Sequence, residues 1–208
     1  MFFNTKALLT GAFLALAAIA TPAQALDLTN VAFVQVVDAP ASIPVGHAEF
    51  CKTRPAECRA NKEIVPAMPL DEARWSQLLQ INANVNANVV PVADIDLYQV
   101  DEFWTYPNGY GDCEDIALAK RRDLINAGWP ASTLLMAIVK EADGGGHAVL
   151  IVRTDRGDLV LDNQDGAVRL WSDTPYHYVK RQSQANAGQW VDMIDSRQIV
   201  VATTAGIN

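Results

Sequence analysis

The spacing of apolar positions changes near residue 130, and this change divides the chain into a helical part and a β part. Apolar residues recur every three or four positions over residues 71–89, which predicts an amphipathic helix with one buried face. A second helix is predicted from Cys113 to about Ala127, and short β runs follow Pro130. A further strand is suggested by the apolar run at residues 31–37. We therefore predict an α+β domain in which helices pack against an antiparallel sheet.

Two asparagines, Asn82 and Asn86, lie on the apolar stripe of the first predicted helix. Buried polar side chains are usually hydrogen-bonded within the core, which is one interpretation of both residues. The other interpretation is that one of them helps to position a reacting carbonyl group.

A loop rich in proline and glycine, residues 106–112, leads into the second helix and brings Cys113 to its first turn. Asp112 is predicted to be the N-cap, with Asp115 returning the capping interaction three residues later. Gly128 fits the left-handed position that follows a last helical turn. Because backbone N–H groups and the helix dipole stabilise an anion at a helix N-terminus, the sequence predicts a reactive thiolate at Cys113.

The β part contains three strong strand predictions, at residues 134–140, 147–153 and 158–162. A turn at residues 154–157 joins the last two as an antiparallel hairpin. If the turn is centred between Thr154 and Asp155, His147 lies opposite Asp162. A centre one residue later makes them diagonal neighbours, still within side-chain reach. The carboxylate would fix the imidazole tautomer, as in the base and orienting residue of a Cys-His-Asp triad. One more short strand is predicted at residues 168–171.

The first 25 residues are predicted to be a signal peptide that is cleaved after Ala25. Lys6 precedes an apolar run at residues 7–20, and residues 23–25 have the A-x-A pattern of a cleavage site. The run is short for a transmembrane helix and no stop-transfer pattern follows, so no membrane insertion is expected after cleavage. Residues 26–208 are predicted to form one domain of an exported protein.

The charge and the cysteine content of the sequence limit the classes of partner that the protein can bind and the roles that its cysteines can have. Residues 26–208 carry 15 basic and 24 acidic residues, a formal charge of −9, which disfavours nucleic acid and anionic lipid as partners. Cys51 and Cys58 are spaced to close a short disulfide loop in an oxidising compartment. Cys113 is then the odd cysteine, either a reactive thiol or a buried structural residue. Its acidic neighbours, Asp112 and Glu114, argue against an apolar burial site.

Acidic residues are dense between the two predicted helices, as well as beside the cysteine. Those that precede the cysteine loop are Asp94, Asp96, Asp101 and Glu102. Such residues either form a solvated face or hold a hard cation such as calcium, which takes six to eight oxygen ligands. No EF-hand spacing is present.

Several short motifs together resemble those of a known family. They are Gly111-Asp112-Cys113-Glu114-Asp115, Lys120-Arg121-Arg122, Ala127-Gly128-Trp129-Pro130, Gly146-His147-Ala148-Val149-Leu150, Leu161-Asp162-Asn163, and Phe50-Cys51 with Arg54-Pro55 and Cys58. The combination resembles the bacterial transglutaminase-like cysteine proteinases, and the similarity extends over residues 50–178. LapG-like members of that family are periplasmic proteases with a papain/transglutaminase-like α+β core, in which the nucleophile lies at a helix N-terminus packed on an antiparallel sheet.

The resemblance implies roles for individual residues. It implies Cys113 as nucleophile, His147 as base and Asp162 as orienting residue. A calcium ion beside the cysteine is also implied, with Asp112, Glu114 and Asp115 as its ligands.

The resemblance also implies partners. They are a large surface adhesin of the kind found in biofilms, as substrate, and an inner-membrane cyclic-di-GMP receptor that sequesters the enzyme. Two alternatives stay open on this core. One is a transglutaminase-like acyl transferase or amidase, and the other is a non-catalytic binding protein.

Overall fold

The computed structural model of the protein describes residues 33–197, which form four α-helices and a large antiparallel sheet. The predicted signal peptide and its cleavage site lie outside the described residues, as do the first residues of the predicted strand at 31–37. The helices are α1 (Val45–Thr53), α2 (Glu72–Asn88), α3 (Asp94–Tyr98) and α4 (Cys113–Asn126). The strands are β1 (Gln35–Ala41), β2 (Val90–Pro91), β3 (Tyr110–Gly111), β4 (Leu134–Lys140), β5 (Gly146–Thr154), β6 (Gly157–Leu161), β7 (Arg169–Leu170), β8 (His177–Gln182) and β9 (Trp190–Ile194).

Seven of the strands form one antiparallel sheet in the order β1-β9-β8-β4-β5-β6-β7. The central strands β4, β5 and β6 are almost entirely buried because both faces of the sheet are covered. Alternate side chains enter different cores: Leu134 and Met136 join Leu118 and Leu124 of α4 on one face, while Leu135 packs on the opposite face. Helices on an antiparallel sheet confirm the predicted α+β class.

The hairpin of β5 and β6 sets the spacing of two candidate site residues. Thr154 pairs with Gly157 and Leu150 with Leu161, so the turn consists of Asp155 and Arg156. This register is one residue later than a turn centred between Thr154 and Asp155. His147 and Asp162 are therefore diagonal neighbours, which was the second of the two predicted arrangements.

Two predicted strands differ from the observed ones. The predicted strand at 31–37 is displaced, since β1 runs from Gln35 to Ala41 and includes Pro40. Pro40 is tolerated because β1 is at the edge of the sheet, where its pairing with β9 shifts between Val36 and Pro40. The strand predicted at 168–171 is shorter, because Trp171 begins a 3-10 turn.

The remaining features follow the sequence closely. A disulfide joins Cys51 and Cys58 with a Cα–Cα distance of 5.5 Å, as predicted. Gly128 has φ of +91°, and Trp129 N–H donates to the Leu124 carbonyl at 3.0 Å, which closes α4 as expected of a left-handed glycine. Within residues 33–197, no helix has the length and apolar character needed to cross a membrane.

Candidate active site

Cys113 is the first residue of α4, as the sequence predicted, but the helix is capped differently. The Asp112 carbonyl accepts the first intrahelical bond from Ile116 N–H at 3.1 Å, whereas the Asp112 side chain makes no cap hydrogen bond. The predicted return interaction of Asp115 is also wrong. Its Oδ1 accepts instead from Thr105 N–H at 2.7 Å, which ties the loop before Cys113 to the helix.

The start of β5 lies against the thiol of Cys113. Ala148 N–H donates to Cys113 Sγ at 3.4 Å, and Ala148 directly follows His147 in the strand. The packing of α4 on β5 therefore brings the predicted nucleophile and the predicted base to the same end of the sheet.

His147 and Asp162 form a buried pair in which Nε2 and Oδ1 are 2.9 Å apart. The two side chains are only 2% and 4% exposed. Since the carboxylate accepts a hydrogen bond from Nε2–H, the neutral ring has its lone pair on Nδ1, which makes no hydrogen bond within residues 33–197. The pair thus has the geometry expected of a base and a residue that fixes its tautomer.

Asp162 is held by further hydrogen bonds around the pair. Its Oδ2 accepts from the Tyr176 hydroxyl at 2.5 Å, and its Oδ1 also accepts from Gln164 N–H at 3.0 Å. Burial raises the pKa of Asp162, but the hydrogen bonds from His147 and Tyr176 outweigh it, so the pKa is lowered. Asp162 is therefore an anion at neutral pH, as an orienting carboxylate must be.

Three carboxylates gather beside the thiol, and one of them, Asp94, is not among the ligands that the resemblance implied. Asp94, Asp112 and Glu114 each place an oxygen within 4.8 Å of the other two. Asp115, which the resemblance implied as a ligand, lies outside this group, and its Oδ1 accepts a hydrogen bond from Thr105 N–H. Asp94 enters it because β2 and β3 pair in parallel, with Pro91 beside Gly111.

The chemistry of this carboxylate group fits a hard cation. Asp94 Oδ1 and Asp112 Oδ1 are buried and have no hydrogen-bond partner among the described residues. Buried carboxylate oxygens without partners are costly unless a proton or a cation compensates them. Calcium binds such all-oxygen sites, so Asp94, Asp112 and Glu114 are the residues that could hold it.

Burial and negative charge also act on the thiol. Burial and the charge of Asp112 raise the pKa of Glu114 to about 9. Burial, followed by the negative charge of Glu114, whose Oε2 accepts from Cys113 Sγ at 3.1 Å, raises the pKa of the Cys113 thiol. The sequence analysis expected the helix N-terminus to stabilise a thiolate. The burial of the sulfur and the nearby carboxylates act in the opposite direction. A bound divalent cation would remove much of this opposition.

A comparison with models of known protein families shows to which family the chain belongs. A model of the family described as bacterial transglutaminase-like cysteine proteinase, BTLCP, matches residues 37–198. This span includes most of the chain. The protein belongs to the bacterial transglutaminase-like cysteine proteinase family.

Solved structures of LapG from Legionella pneumophila are similar to part of the chain. The calcium-bound form is 25% identical with a TM-score of 0.47, and the similarity covers 52% of this chain and 64% of that one. The EGTA-treated form is 27% identical with a TM-score of 0.49, over 59% of this chain and 72% of that one. The chain thus spans slightly less than two thirds of the calcium-bound LapG. No curated protein matches the sequence.

Two polar residues support Asp162 in this BTLCP domain: Tyr176, which the sequence analysis missed, and Asn86, for which it left two interpretations open. Asn86 Nδ2 donates to the Asp162 carbonyl at 2.8 Å, and Asn82 Nδ2 donates to the Gly166 carbonyl at 3.1 Å. Both asparagines therefore hydrogen-bond within the core, as one interpretation predicted. No signal pointed to Tyr176, because its spacing from Asp162 follows no local periodicity.

Proposed function

We propose that the protein is a periplasmic cysteine endopeptidase with Cys113 as nucleophile, His147 as base and Asp162 as orienting residue. The observation that carries this proposal is the buried His147–Asp162 pair beside the Cys113 thiol at the N-terminus of α4. Family membership supports a cysteine proteinase, and the sequence supports export through the predicted signal peptide at residues 1–25.

The proposed reaction proceeds through an acyl-enzyme. Nδ1 of His147 takes the Cys113 proton, and the thiolate attacks the carbonyl carbon of the scissile peptide bond. The tetrahedral intermediate collapses as His147 returns the proton to the leaving amine, and the C–N bond breaks. Water, deprotonated by the same imidazole, then hydrolyses the thioester. N–H groups at the first turn of α4 are suitably polarised to stabilise the oxyanion.

The substrate we infer is a large exported surface protein such as a biofilm adhesin. This part of the proposal, like the inner-membrane cyclic-di-GMP receptor as regulator, rests on the sequence resemblance. The test is to incubate residues 26–208 with the purified terminal regions of a large repeat-containing surface adhesin from the same organism. We expect a single cleavage that the Cys113→Ser variant does not perform.

A second measurement separates hydrolysis from acyl transfer, which the same thioester would support. The assay includes dansylcadaverine as an amine acceptor. Release of the shortened adhesin without a dansyl label supports the peptidase. Incorporation of the dye without cleavage would instead favour the acyl transferase, and activity retained by Cys113→Ser would contradict the assigned nucleophile.

We further propose that Asp94, Asp112 and Glu114 hold calcium. When bound, the ion supplies positive charge that favours the Cys113 thiolate and orders the loop at residues 106–112. We expect calcium, but hardly magnesium, to raise the melting temperature of the EGTA-treated protein. Asp94→Asn should lose this rise. The matched control is Asp96→Asn, since Asp96 is exposed two residues further along α3 and this variant should keep the rise.

Calcium is the wrong cation if neither the wild-type protein nor Asp96→Asn responds to it. A response that survives Asp94→Asn but disappears in Asp115→Asn would contradict the ligand assignment and favour the set implied by the family resemblance.

A further inference from the structure

A cleft on the other side of the cysteine loop carries a concentration of positive charge in an acidic protein. The cleft has a volume of about 440 Å³, and the residues that line it include Arg59, Lys62, Arg121 and Arg122. The whole sequence, in contrast, has a formal charge of −8. The lining contains one carboxylate among the described residues, that of Glu57. Four cations therefore face one acid.

The most informative of these residues is Arg121, because it is buried and forms no ion pair with any residue from 33 to 197. It is 5% exposed, and its Nε donates to the Leu134 carbonyl at 3.0 Å, which fixes the plane of the guanidinium. Its two terminal nitrogens have no hydrogen-bond or ion-pair partner among residues 33–197. Burial lowers the pKa of Arg121, so an anion bound beside it would be favourable, and the planar pair of donors matches a carboxylate or a phosphate.

The single acid in the lining favours the charge of Arg121 from a distance but forms no ion pair with it. Glu57 accepts a hydrogen bond from the Tyr106 hydroxyl, so one of its oxygens is already engaged. Arg122 lies over the Tyr106 ring, with its guanidinium carbon 4.2 Å from the ring centroid. These contacts hold one wall of the cleft in place, while Arg59 and Lys62 are exposed and form no ion pair in the described part of the chain.

We propose that this cleft is a binding site for a phosphate-type oxyanion, either inorganic phosphate or a phosphate ester of a small molecule. Arg121 would bind two oxygens from the floor of the cleft, and Arg59 and Lys62 would close over the anion from the rim. The site is separate from the cysteine, and the inference does not depend on the proposed peptidase activity.

The test measures binding of inorganic phosphate and glucose 6-phosphate by calorimetry in calcium-free buffer, with ionic strength held constant by sodium chloride. We use the Cys113→Ser protein as well as the wild type, and both should bind. Tighter binding of glucose 6-phosphate would identify the ligand class as a phosphate ester. Tighter binding of inorganic phosphate would identify the free anion.

A double variant at the rim of the cleft and a control variant elsewhere localise the site, and both leave the buried arginine unchanged. Arg59→Gln with Lys62→Gln removes only exposed charges and should weaken phosphate binding about tenfold or more, since charge-assisted hydrogen bonds are lost. Arg156→Gln is the matched control, because it removes an exposed arginine from the hairpin turn, and its affinity should be unchanged. Arg121→Gln should abolish binding where the variant folds.

The proposal fails if the wild-type protein binds neither phosphate compound, or if Arg156→Gln weakens binding as much as the rim variant, which would indicate general screening. Binding of an acidic peptide without binding of either phosphate compound would also overturn it, and would identify the cleft as a protein-docking site.

Discussion

Lys120 offers a sharp test of the energetics of α4, because it is a charged residue in the core below the candidate site. It is 0% exposed, and its Nζ has no hydrogen-bond partner among the described residues. Burial lowers the pKa of Lys120 from 10.5 to about 7, while the negative charge of Asp162 acts in the opposite direction. The folded state therefore resists carrying this ammonium charge.

The sign of the effect follows from proton linkage. Between pH 7 and 10.5 the unfolded chain holds a proton on Lys120 that the folded protein largely lacks, so this residue makes the free energy of unfolding rise with pH in that window. One pKa unit corresponds to about 1.4 kcal/mol, so at pH 7 the lysine destabilises the folded state by about 4 kcal/mol relative to a neutral side chain.

We therefore expect Lys120→Met, which nearly conserves the side-chain volume, to raise the free energy of unfolding at pH 7. The expected gain is about 3–4 kcal/mol, consistent with replacements of buried charges by apolar residues. The gain should shrink towards zero near pH 10.5, where lysine is neutral in both states. Urea unfolding of both proteins at pH 7 and pH 10, with the disulfide intact, gives the two differences.

The control is Lys140→Met, which makes the same chemical change at an exposed position at the end of β4. Its effect should be small at both pH values. A destabilised Lys120→Met protein would refute the reasoning and show that Nζ is charged and stabilised by its surroundings. A gain of equal size at pH 7 and pH 10 would show that packing, not ionisation, is responsible.

Three further predictions concern the triad and the disulfide. Asp162→Asn should lower kcat by roughly 10⁴ in the adhesin cleavage assay, since the amide favours the wrong tautomer of His147. Near-normal activity would make Asp162 a structural residue. Tyr176→Phe should lower kcat about tenfold by removing one charge-assisted hydrogen bond to Asp162, and an unchanged pH–rate profile would argue against that role. Replacing Cys51 and Cys58 by serine should lower the free energy of unfolding by about 2.5 kcal/mol, measured in urea, and reductant should then have no further effect.

Local sequence signals predicted the strands and helices that position the proposed triad. β4 was predicted with its observed bounds, because its apolar residues are continuous and end at a charged lysine before the Gly144–Gly146 break. The register of the hairpin was left between two alternatives, because a turn of this composition fits either centre. The observed pairing of Thr154 with Gly157 selects the later one, and the His147–Asp162 contact forms across the diagonal.

The cluster of three carboxylates beside the cysteine was harder to predict than the strands, because it depends on contacts between segments that are distant in the sequence. Asp94 begins the five-residue helix α3, and the sequence left it open whether this acid is solvated or holds a cation. The parallel pairing of β2 with β3 sets Pro91 beside Gly111. The segments that follow these two strands run in the same direction, to Asp94 and to Asp112. A pairing of two residues per strand leaves almost no hydrophobic pattern for sequence analysis to recognise.

The prediction of the side-chain cap of α4 was wrong for a related reason, and the same residues affect the pKa of the Cys113 thiol. Sequence rules treat Asp112 and Asp115 as acids free to bond the first N–H groups of a helix. In the structure Asp115 binds Thr105 N–H and Asp112 joins Asp94 and Glu114, so neither supplies the cap. The same gathering of buried acids raises the pKa of Cys113. The helix N-terminus favours a thiolate and the carboxylates oppose it, so the reactivity of the thiol depends on what neutralises those carboxylates.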